Sequence, residues 1–253
     1  MTRLAIGVIA ALLSFVPSVA AQDDSAFEPP RLENGRPNFR GIWMNGSISA
    51  AFDVETHPDA FGTRGGQSAI VDPPDGTLPY LPGAREVAQD NNLHRERDPV
   101  SHCHPHGPPR AMLPPFPMQI VQDGDYVVFL YETEHAVRII PTDGRPHLDG
   151  YSSWSGDSRG RWEGDTFVID VIGLNGRQWL DQAGNYLDAN ARVTERLTMI
   201  DPDTIEYEST VDDPTVYSEP WTLRVPLRRR PPDVELLEYG CIEGDRDFAD
   251  VVN

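Results

Sequence analysis

The sequence predicts a mainly β protein: an antiparallel meander closed into a barrel, preceded by a long irregular arm rich in proline and glycine. Three observations carry this. From Met118 onward, short runs of β-branched and aromatic residues recur between turn signals. The runs are joined by tight turns, which suit hairpins rather than crossover connections. Before residue 115, prolines fall too densely for many helices to survive.

Residues 1–20 read as an export signal. Arg3 supplies a positive start, residues 4–15 an apolar stretch, and Ser18-Val19-Ala20 the small residues that precede cleavage. That stretch is shorter than the roughly 20 apolar residues a bilayer span needs. The mature chain is therefore expected to be periplasmic or secreted, with no stable membrane insertion.

Residues 21–115 form the arm. Pro29-Pro30, Pro73-Pro74, Pro108-Pro109 and Pro114-Pro115 punctuate it, and residues 83–92 are its best helix candidate. Trp43, Phe52, Phe61, Tyr80 and Leu81 are apolar anchors that favour packing over disorder.

The barrel is expected over 116–253. Strands are predicted at 118–122, 126–132 and 135–140, the first two around Asp123-Gly124-Asp125. After the turn Asp143-Gly144-Arg145-Pro146, Arg161-Trp162 and 166–172 flank Glu163-Gly164-Asp165. Runs 192–200 and 204–211 flank Asp201-Pro202-Asp203, and 221–227 and 234–241 flank an arginine-proline loop. A meander of about eight or nine strands removes its exposed edges by closing. A barrel of lipocalin-like type fits best, with a β-sandwich as the alternative. Prolines 214, 220, 226, 231 and 232 then belong at edges or corners.

Composition excludes several chemistries. The net charge is −19, so a nucleic-acid partner is not expected. All 21 basic residues are arginine. With no lysine there is no Schiff base, no covalent pyridoxal and no phosphate-loop lysine. No G-x-G-x-x-G opens a helix, so no nicotinamide or flavin site of the usual kind is expected, and no cofactor is assigned. The two cysteines, Cys103 and Cys241, are expected to bridge in an oxidising compartment.

The segment from 103 to 241 resembles a large group of uncharacterised exported bacterial proteins. The residues that carry this are Cys103-x-Pro105-x-Gly107-x-Pro109-Arg110, Asp143-Gly144-Arg145-Pro146-His147, Gly160-Arg161-Trp162-Glu163-Gly164-Asp165-Thr166, Trp179-Leu180-Asp181, Thr194-Glu195-Arg196 and Glu238-Tyr239-x-Cys241. This chain departs from the group at Asn190-Ala191-Arg192, where similar proteins often carry a histidine. The resemblance supplies no reaction.

Candidate chemistry therefore comes from the residues. Gly156-x-Ser158-x-Gly160 has the form of a nucleophile elbow, but no histidine follows Ser158 and a strand, not a helix, comes next. His102, His104 and His106 alternate as zinc or copper ligands do, yet the prolines around them make a loop with no fourth ligand in sight, and no metal is assigned.

Carboxylates on strand faces are the better lead. Alternation puts Glu195 on the face of Val193, Leu197 and Met199, and Glu132 and Asp170 sit in similar runs. A carboxylate in an apolar hollow suits acid–base work near neutral pH. Arg138, Arg161 and Arg196 are its candidate partners.

The expected protein is a cofactor-independent enzyme of isomerase, lyase, hydratase or cyclase type. Glu195, Glu132, His135, Asp170 and Arg161 would do the chemistry. Trp154, Trp162, Trp179, Trp221, Tyr131, Tyr207 and His147 would hold a small hydrophobic or aromatic molecule. The alternative is a non-catalytic binding protein of the same shape.

Overall fold

A computed structural model describes residues 27–60, 63–237 and 239–241. The expected export signal and the anchor Phe61 lie outside the described residues. Strands β1 (Gly41–Asn45) and β2 (Ile70–Asp72) come from the arm. The meander supplies β3 (Met118–Asp123), β4 (Tyr126–Tyr131), β5 (Val137–Pro141), β6 (Asp157–Glu163) and β7 (Thr166–Ile172). It continues with β8 (Arg192–Asp201), β9 (Thr204–Asp212) and β10 (Trp221–Arg229). Two helices, α1 (Ser49–Phe52) and α2 (Ala84–Leu93), lie in the arm. The second matches the predicted helix, and it buries Ala84 and Ala88.

The strands form one antiparallel sheet in the order β5-β4-β3-β1-β10-β9-β8-β7-β6, and it nearly closes into a barrel. The connection between its two hairpin series is β1. Trp43 pairs with Met118 on one side and Arg229 on the other. β2 joins the same edge of β10 further along, at Ile70 and Asp72. Pro226 falls between these two stretches, where that edge of β10 has no strand partner among the described residues.

A strand over 234–241 does not form among its described residues. The edge of β10 it would need is occupied by β1. The tail is held in other ways. The Leu237 amide donates to Glu132 Oε2 at 2.9 Å, Tyr239 lies 5.5 Å from Phe116, and Cys241 is bonded to Cys103.

Period-two alternation decides the interior. Val193, Glu195, Leu197 and Met199 of β8 point in, as do Ile205, Tyr207, Ser209 and Val211 of β9. Trp43, Phe39, Phe129, Phe167, Tyr207 and Trp221 fill the core and are fully buried.

The seam lies between β5 and β6. Gly160 is required there. A Cβ at that position would meet Phe167 at 2.6 Å and Ile140 at 3.0 Å. Arg138 Nε crosses the same seam to Ser158 Oγ at 2.9 Å.

Trp179-Leu180-Asp181 fastens the arm. The Val54 amide donates to Asp181 Oδ2 at 3.0 Å, Gln182 N–H to the Ala51 carbonyl at 3.1 Å, and Ala183 N–H to that of Phe52 at 2.7 Å. No helix among the described residues is long and apolar enough to cross a membrane.

Candidate functional site

Glu195 is buried completely, at 0% exposure, on the inner face of β8. Of its three expected partners, Arg138 reaches it, as an ion pair through Nη2. Tyr207 donates its hydroxyl to Glu195 Oε1 at 2.8 Å. Burial pulls the Arg138 guanidinium down, but the charge and hydrogen bond of Glu195, with Tyr131 and Tyr207, together outweigh it and the net direction is up. Burial pushes the Tyr207 hydroxyl well up, and the Glu195 charge adds to that. Tyr131 is also inside, its hydroxyl raised chiefly by burial and opposed by the Arg138 charge. Arg138 Nη1, the Tyr131 hydroxyl and Ser209 Oγ are buried without a hydrogen-bond partner among the described residues. The centre of the barrel is thus a charged pair inside a polar ring of tyrosine and serine.

The other expected catalytic residues do not join it. Glu132 follows the outer face of β4, because Val127, Phe129 and Tyr131 take the inner positions. Its carboxylate holds the Leu237 amide instead. His135 is exposed, at φ 50° in the turn after β4. Arg161 faces outward and pairs with Glu163 at 2.8 Å; Arg196 Nη1 reaches the same carboxylate at 2.9 Å.

Asp170 is brought beside His147. The imidazole lies between two carboxylates, with Nε2 3.1 Å from Asp170 and Nδ1 2.7 Å from Asp157. Burial pushes the Asp157 carboxyl up, but the Leu148 amide, His147 and Arg159 together hold it below the ordinary range. The arrangement ties the loop after β5 to β6 and β7.

The expected binding aromatics scatter in the same way. Trp221, Tyr207, Tyr131 and Trp162 belong to the inner face, where Trp162 packs on Phe39 at 5.4 Å and Phe167 at 4.9 Å. Trp179 is buried in the segment that fastens the arm, and Trp154 stacks on His104 at 4.4 Å. The three alternating histidines diverge. His102 faces the Glu96 carbonyl, His104 the Trp154 ring, and His106 forms a buried pair with Glu134 at 2.8 Å.

One open space has the features of a binding site. A cleft of about 510 Å³ lies at a mouth of the barrel, between residues 31–40 of the arm, the β3–β4 turn and Trp162. Arg31, Arg36 and Arg40 line it with Tyr126, along with Glu33 and Asp123. Arg31 is committed to Asp165 through two bonds of 2.8 and 2.9 Å. Arg40 donates to the Gln122 carbonyl at 3.0 and 2.6 Å, and Arg36 touches Thr142 Oγ1 at 3.4 Å. Neither Arg36 nor Arg40 has an ion-pair partner among the described residues, and their guanidinium groups share the cleft walls with the Glu33 and Asp123 carboxylates. Gln122 holds this wall in place by accepting from the Phe39 amide at 2.6 Å and donating to the Pro37 carbonyl at 3.0 Å.

Sequence reasoning missed this cleft because its arginines sit in the aperiodic arm, where alternation carries no signal. No known family model and no curated protein matches the chain.

Proposed function

We propose that the protein is a binding module acting outside the cytoplasm, and that the mouth cleft takes a small molecule bearing a ring and an anionic group. The observation that carries this is the placement of Arg36 and Arg40, neither held in an ion pair among the described residues, in one cleft with Tyr126 and Trp162. In a chain of net charge −19, a cleft lined by three arginines and two carboxylates is a local exception to the overall field. Guanidinium groups suit carboxylates, and aromatic walls suit rings. The disulfide supports the location, since such bonds persist in oxidising compartments.

An acid–base enzyme centred on Glu195 is the weaker reading. A general base must come within hydrogen-bond reach of the proton it takes. The Glu195 carboxylate is already engaged by Arg138 and Tyr207 and has no exposed surface.

The test is a tryptophan-fluorescence titration with benzoate and indole-3-acetate, each paired with its neutral amide. Binding of the acids but not the amides is expected. Arg36→Gln should weaken acid binding by about tenfold, the loss of one charge-assisted contact. Equal affinity for acids and amides, or an unaffected Arg36 variant, would sink the proposal.

A further inference from the structure

The start of α1 carries a serine–histidine pair that the cleft does not use. Ser49 Oγ lies 3.0 Å from His57 Nε2, and His57 Nδ1 lies 3.0 Å from the Pro58 carbonyl oxygen. A carbonyl oxygen only accepts, so the proton of the neutral ring belongs on Nδ1, and Nε2 is an acceptor. The serine O–H is then the donor to Nε2. This is the geometry of a nucleophile beside its base, with a third group orienting the base.

The surroundings support it. His57 is 7% exposed, with its ring 4.9 Å from that of Phe52. Ser49 keeps part of its surface in solvent, next to the exposed Ile48. The Asp53 carboxylate is near enough for the His57 charge to act on it. Gly66 leaves the space that the pair occupies; a Cβ there would fall 1.6 Å from Ser49 Oγ.

We infer that Ser49 is a catalytic nucleophile toward small carboxylic esters, with His57 as its general base. Oγ attacks the ester carbonyl carbon while its proton passes to Nε2. The bond to the leaving oxygen breaks, and that oxygen takes the proton from Nε2 and departs as the alcohol. Water then attacks the acyl-serine, giving its proton to Nε2. The acyl–Oγ bond breaks, the carboxylic acid leaves, and Nε2 returns the proton to Ser49. Ile48 offers apolar contact for a short acyl chain.

The experiment uses the full chain and two probes, a fluorophosphonate and p-nitrophenyl acetate. One phosphonate per chain, mapped to Ser49, is expected in the wild type. Ser49→Ala should abolish the adduct and lower ester hydrolysis by about a hundredfold or more, the usual scale for a positioned nucleophile and base. Gly66→Ala replaces neither Ser49 nor His57 yet should abolish labelling too, because its Cβ displaces Oγ. His57→Gln should do the same while Ser49 remains. An adduct that persists in Ser49→Ala, no adduct in the wild type, or equal hydrolysis in Ser49→Ala and wild type overturns the inference. Thermal unfolding of Ser49→Ala, which keeps the small side chain, separates lost chemistry from lost fold.

Discussion

Glu195 and Arg138 neutralise each other where solvent does not reach, and neither is tolerable there alone. Attraction within the pair offsets the cost of removing both charges from water only while both are present. Glu195→Gln strands the Arg138 cation among Phe129, Tyr131 and Tyr207. A loss of about 3–5 kcal/mol is expected, read by urea unfolding. Converting both positions together, Glu195→Leu with Arg138→Met, should recover most of it. A single variant as stable as the wild type would show that the pair is not closed. Glu195 was legible in the sequence because its alternating neighbours are all apolar. Glu132 was misjudged because its neighbours Val128 and Leu130, though apolar, belong to the outer face. Ser49 and His57 were invisible, since no periodicity links them in the arm.

At the scale of the element, hairpins were readable wherever acids with glycine or proline separated β-forming runs. The pairings β3–β4, β6–β7 and β8–β9 follow directly from those turns. β1 was not readable, because five residues, Gly41–Asn45, flanked by Arg40 and Gly46 leave too short a pattern to distinguish from loop. Its place comes from tertiary fit: Trp43 is wholly buried and Arg229 covers its ring at 4.1 Å. The Gly160–Thr166 motif also takes its meaning from packing. Gly160 lets β5 approach β6, Trp162 packs against the core at the edge of the cleft, and Arg161 and Glu163 are surface charges. Gly160→Ala should cost about 1–3 kcal/mol, the range for overpacking a filled core, measured by thermal or urea unfolding. A neutral result would mean that the seam has slack.

For the whole molecule, the arm and barrel are fastened through a buried carboxylate whose charge state depends on pH. Burial, and then the nearby Asp53, push the Asp181 carboxyl up to about 8. Asn185 and the Val54 amide pull the other way without prevailing. The folded chain thus holds a proton that unfolded aspartate releases near about pH 3.9. Stability from this source is complete below that pH and is lost as pH rises through about 8. Asp53→Asn keeps an acceptor oxygen for the Glu55 amide and Asn185 but removes the second cause. Unfolding free energy should therefore fall less steeply between pH 4 and 8 in that variant than in the wild type; identical slopes would refute the coupling.

The disulfide adds to the same fastening. It joins residues 138 apart, and a closed loop of that size stabilises by about 4–5 kcal/mol on chain-entropy grounds. The sheet order also constrains how the chain can mature. Because the first strand is wedged between the third and the last, a nascent chain presents Gly41–Asn45 with neither lateral neighbour until β3 and finally β10 emerge. Such distant pairing is slow to find. The polypeptide must stay loose, and shielded from premature association, until nearly all of it is available to fold.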